Sequence, residues 1–104
     1  MAELTFVVDP TFPMTVAVPV PGKKPVDTEF TFIGRNGEEL QAYLDGSRGK
    51  EDLDALMDTL TGWGIKNRPF SREEVANFIL VYPAAARAII SKYITEISGI
   101  KLGN

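Results

Sequence analysis

Proline placement constrains this chain more than any other feature. Five of its seven prolines fall within the first 25 residues, at Pro10, Pro13, Pro19, Pro21 and Pro25. Proline cannot donate to a sheet ladder and breaks a helix interior, so this stretch is neither helix nor long central strand. Short edge strands remain open to it. Val16, Val18 and Val20 recur with period two, as do Phe30 and Phe32 against Glu29 and Thr31. Between these runs sits Pro21-Gly22-Lys23-Lys24-Pro25, a turn-forming cluster. The pattern predicts a β-hairpin over about 14–33, with strands near 14–20 and 26–33 and one strand held at an edge. An isolated hairpin is marginal in water, so its valine and phenylalanine face must pack on the helices or on another chain.

Beyond residue 34 the period changes to that of a helix. Asn36-Gly37-Glu38-Glu39 reads as a capping sequence, Leu40, Tyr43 and Leu44 form one stripe, and Gly46 suits a left-handed stop. Leu53, Leu56, Met57 and Leu60 predict a second helix over 51–61, followed by a loop, 62–70, that holds the only tryptophan, Trp63. Ser71-Arg72-Glu73-Glu74 is a further capping sequence, ahead of Val75, Phe78, Ile79 and Tyr82 on one face. Pro83 ends that helix and suits the first turn of the next. Ala86, Ile89, Ile90, Tyr93, Ile94 and Ile97 then give the strongest periodicity in the chain, with Gly99 as an αL stop and Ile100 placed to fold back on Ile94. The expected fold is α+β in a single domain spanning 1–104. An extended, hairpin part (1–33) precedes a helical part (34–104), a bundle of four short helices at about 37–45, 51–61, 72–82 and 84–98.

The residues available for chemistry are few. There is no cysteine and no histidine, which removes disulfides, thiolate metal sites, thiol nucleophiles and the commonest general base. Ser47, Ser71, Ser91 and Ser98 stand in no nucleophile motif, and none of the lysines lies in an apolar run that would depress its pKa. Glu51, Asp54 and Asp58 share one helix face. A hard cation usually needs ligands from several segments or a glycine-bearing loop, so an acidic, solvated helix face is the expected reading. No catalytic residue, metal site or cofactor is assigned. The net charge of −3 argues against non-specific binding to nucleic acid. The longest apolar run, Phe78 to Ala86, is too short to cross a bilayer, and the acidic N-terminus does not read as a secretory signal.

A protein–protein role is what remains. Trp63, Ile65, Phe70 and Tyr82 gather around a loop and a helix end, where they serve either as loop-side packing or as an aromatic anchor for a partner. The Val16/Val18/Val20 edge is the second candidate surface. An alternative is a small DNA-associated regulator using the helices in 71–98, but the last helix offers only Arg87 and Lys92 as cations.

Several stretches, in order along the chain, resemble the tail assembly chaperones of bacteriophages and prophages with long flexible tails. They are Val18 to Gly22, Glu29 to Phe32, Glu39-Leu40, Tyr43-Leu44, Leu56-Met57 and Gly62-Trp63. The match continues through Pro69-Phe70-Ser71-Arg72-Glu73, the run from Tyr82 to Ile89, Tyr93, Gly99 and Leu102-Gly103-Asn104. The resemblance implies a non-enzymatic protein of the host cytoplasm, absent from the mature virion. It would bind the tape measure protein during tail morphogenesis, with the tail tube protein as a further partner and self-association left open. A structural tail or connector component is a third reading. The family supplies no catalytic residue to carry over.

Overall fold

A computed structural model describes residues 3–99. Its order is β1 (Thr11–Val18), β2 (Val26–Ile33), α1 (Gly37–Gly46), α2 (Asp52–Met57), β3 (Leu60–Trp63), α3 (Arg72–Val81) and α4 (Ala85–Ser98). The α+β expectation holds, and the hairpin is present, with β1 at the sheet edge. It starts three residues earlier than the valine pattern suggested. Phe12 already alternates with Pro13, and Pro13 is tolerated because its missing donor faces away from β2.

The second expected helix is the main correction. It ends at Met57, and Leu60–Trp63 forms a third antiparallel strand on β2. Trp63 therefore sits opposite Phe30 in the sheet rather than in a loop. The cause lies at the end of α2. Thr59 is fully buried, its hydroxyl bonding the Ala55 carbonyl and the Tyr43 hydroxyl at 2.7 Å each. The Ile33 amide then takes the Thr59 carbonyl at 3.0 Å, which starts the strand pairing. Thr61 is an extra residue, since Thr31 faces Gly62 while Phe32 faces Leu60. This is a β-bulge.

The helix caps follow local chemistry. Asn36 and Glu39 make the reciprocal capping box, both bonds at 2.8 Å. The Ser71 hydroxyl accepts from the Glu74 amide, and Gly99 takes the left-handed conformation at φ 73°. Gly46 does not: α1 runs through it to Ser47, and the left-handed glycine of that turn is Gly49. The expected Ile100–Ile94 contact lies outside the described residues.

The core forms where the inner face of the sheet meets α4. Phe30 and Phe32 from β2, Leu56 from α2, Val75 from α3, and Ile89 and Tyr93 from α4 are all fully buried. The Tyr93 ring stacks on Phe32 at 5.5 Å and meets the Tyr43 edge at 5.4 Å. Such pairs add about 0.5–1.5 kcal/mol each beyond their buried area. One polar staple closes this core. Arg35 donates to the Tyr93 hydroxyl at 2.9 Å and to the Asp58 carbonyl at 2.8 Å, with its guanidinium 4.4 Å from the Tyr43 ring centre. The Tyr93 hydroxyl in turn donates to the Ile33 carbonyl at 2.7 Å. One side chain thus ties the ends of β2 and α2 to α4.

Candidate functional site

An apolar depression lies between the turn end of the hairpin and α3. It holds about 380 Å³, at the small end of the roughly 300–1,000 Å³ range of ligand pockets. Val18, Val20 and Val26 form the hairpin wall, Phe78, Val81 and Tyr82 form the α3 wall, and Trp63 and Ile65 form the floor.

Each wall has a local cause. Alternation along β1 and β2 turns Val16, Val18, Phe30 and Phe32 inward. The tight turn, with the Lys23 amide bonding the Val20 carbonyl at 3.0 Å, leaves Val20 and Val26 at the open end. On α3 the stripe Val75, Phe78, Ile79 and Tyr82 packs into the core, with Phe78 reaching the sheet. Leu80 and Val81 fall off that stripe, 80% and 62% exposed. Phe78 joins the groove to the core, its ring 6.1 Å from Phe30, 5.5 Å from Trp63 and 5.9 Å from Tyr82.

The floor is held rigidly. Trp63 Nε1 donates to the Arg68 carbonyl at 2.7 Å, closing the connection in which Asn67 adopts φ 63°. Phe70 meets the indole edge-on at 5.3 Å. At the rim, Arg68 pairs with Glu74 at 3.2 Å, and Asn77 donates to Glu74 at 2.9 Å. The Asn77 amide first, and Arg68 second, hold the Glu74 carboxyl below its ordinary range. The groove is therefore an apolar trough with one ion pair at its edge, suited to apolar side chains and one oriented polar contact.

Five of the seven residues singled out from sequence, Trp63, Ile65, Tyr82, Val18 and Val20, line this groove. Phe70 supports it from behind Trp63. Val16 does not line it: it lies two residues farther from the hairpin turn, as buried in the sheet–helix core as Val18. Sequence reasoning missed Val26 and Val81, the most exposed of the lining valines. A signal for Val81 was present, since the apolar run Phe78 to Ala86 is wider than one helix stripe can bury.

The acidic face of α2 is engaged by ion pairs. Asp54 meets Arg72 at 2.5 Å, and Asp58 meets Lys50 at 3.1 Å and Arg35 at 3.4 Å. The α3–α4 corner turns through 110°, within the range of helix-turn-helix pairs. Yet α4 directs Ala85, Ala86, Ile89 and Tyr93 into the core. Its cations, Arg87 and Lys92, lie five residues and so about 140° apart on the helix, with Glu96 one turn beyond Lys92, so they do not form one basic face for phosphate.

A family model described as Phage tail assembly chaperone matches residues 1–104, the whole chain. No curated protein and no solved structure matches it.

Proposed function

The chain belongs to the phage tail assembly chaperone family, and from that premise we propose that it binds the tape measure protein through the groove between the hairpin end and α3. The observation that carries this reading is the exposed apolar wall, Val26 at 53% and Val81 at 62%, standing over an aromatic floor fixed by the Trp63–Arg68 bond. A long, mostly helical client must be shielded before the tail tube surrounds it. A helix laid into a groove by apolar residues at i, i+3 and i+4 is the recognition mode this shape suits.

Recognition then needs no bond-making chemistry, so the chain works non-enzymatically in the host cytoplasm and leaves before the virion is complete. The tail tube protein is a further partner in this reading. Co-expression with the tape measure protein tests it. The wild-type chain should keep the client soluble, while Val81→Asp, which places a charge on the apolar wall, should let it precipitate. Equal protection by both chains would remove the groove from the mechanism.

A further inference from the structure

The open edge of the sheet has the features of a self-pairing surface. On β2, the Ile33 amide bonds the Thr59 carbonyl and the Glu29 carbonyl accepts from Gly64, so its odd-numbered residues turn their backbone groups toward β3. The even-numbered ones turn theirs toward β1, where their partners are Phe12, Met14, Val16 and Val18. Thr11, Pro13, Thr15 and Ala17 therefore aim their backbone groups away from the sheet. Among the described residues no strand lies beyond them. No charged side chain occurs from Pro10 to Gly22, and charge is the usual guard of such an edge. Pro13 removes a single donor and leaves its carbonyl in place.

A second feature lies at the opposite end from the groove. Leu4, Phe6 and Val7 are 93%, 101% and 80% exposed in an arm that enters β1 through the Gly34–Pro10 bond. The arm from Leu4 to Pro10 spans at most about 20 Å, and Val18 lies about 26 Å from Pro10 along β1, at roughly 3.3 Å per residue. Leu4, Phe6 and Val7 therefore fall short of their own groove even if the arm folds back. In a second copy lying antiparallel, it would arrive there.

We propose that two copies of the chain pair antiparallel through β1 across a two-fold axis near Met14, each arm running along the other's hairpin end. In that register Thr11 opposes the partner's Ala17, and Pro13 opposes the partner's Thr15. The three donors per strand give about six interchain hydrogen bonds and one continuous sheet. Val8 then comes beside the partner's Val20, and an isologous contact of this kind closes as a dimer. The pairing does not depend on what the groove binds.

Sedimentation of the full chain at about 100 μM, above the Kd range of modest interfaces, should give the mass of two chains. Thr15→Pro removes an outward-facing donor without touching the β1–β2 ladder. It should return the chain to monomer, with a melting temperature equal to that of the wild-type chain at high dilution, where both are monomeric. Amide exchange in the wild-type chain decides the matter without any variant: the Thr15 and Ala17 amides should become protected as concentration rises. A monomer at that concentration, a dimer unaffected by Thr15→Pro, or exchange at Thr15 and Ala17 that ignores concentration would each overturn the proposal.

Discussion

Replacing Arg35 with methionine keeps most of the aliphatic stem and removes the guanidinium that joins the ends of β2 and α2 to α4. Three hydrogen bonds are lost, at 2.9 Å to the Tyr93 hydroxyl, 2.8 Å to the Asp58 carbonyl and, more weakly, 3.4 Å to the Asp58 carboxylate, and the Tyr43 ring loses its cation. Hydrogen bonds from a charged donor are worth about 1.5–3 kcal/mol each, and a cation over a ring about 0.5–2. The Arg35 side chain is only 13% exposed, so screening discounts these values modestly. Tyr93 keeps its bond to Ile33, and Asp58 keeps Lys50. After that discount the expected loss is about 3–6 kcal/mol, a large part of the roughly 5–15 kcal/mol available to such a domain. Urea unfolding followed by circular dichroism should show a lower midpoint with an unchanged slope. Arg35→Lys should recover less than half, because a point charge on a flexible stem cannot serve both acceptors. A loss below about 0.5 kcal/mol would mean Arg35 contributes no more than a surface ion pair, and the staple reading would fail.

Other consequences follow from particular contacts. A Cβ on Gly34 would stand 1.8 Å from the Asp9 carbonyl oxygen, a backbone atom that cannot swing aside. Gly34→Ala should therefore cost about 1–3 kcal/mol and expose the amide that bonds Pro10, which amide exchange would detect. Burial pushes the Tyr43 and Tyr93 hydroxyls above the ordinary value of 10.0. The fold holds them neutral, so their contribution is complete below that pH and lost as pH rises through the folded values. Phenolate absorbance and thermal melts should show late ionisation and falling stability above pH 10.0; melts insensitive to alkali would contradict it. Asp54 and Arg72 join α2 to α3 but are about half exposed. Arg72→Ala should cost less than about 1 kcal/mol in the same urea titration.

What could be seen in the sequence divides along the range of the interactions involved. The caps at Asn36 and Ser71, the break at Pro83 and the stripe of α4 depend on neighbours a few residues away, and each stands where the pattern placed it. Leu60 fitted an i+7 helical position, and only pairing with Phe32, 28 residues earlier, makes it a strand. Arg35 carried no signal, because its partners lie 23 and 58 residues away. The groove was half visible for the same reason. Trp63, Ile65 and Tyr82 cluster in sequence, but the hairpin wall that completes the trough comes from Val18, Val20 and Val26, brought there by the sheet. Val16 shares the alternation and the burial of Val18, and period two alone does not show that only the residue nearer the turn reaches the groove.

Trp63 is the only tryptophan and lines the floor of the groove, so its emission reports on what fills that space. Titrating the chain with a helical segment of the tape measure protein should give a saturable blue shift as the indole loses water, with the same midpoint by calorimetry. In Val81→Asp both signals should disappear while the melting temperature holds. Calorimetric binding that leaves the emission unchanged and survives Val81→Asp would place the client elsewhere and contradict the account.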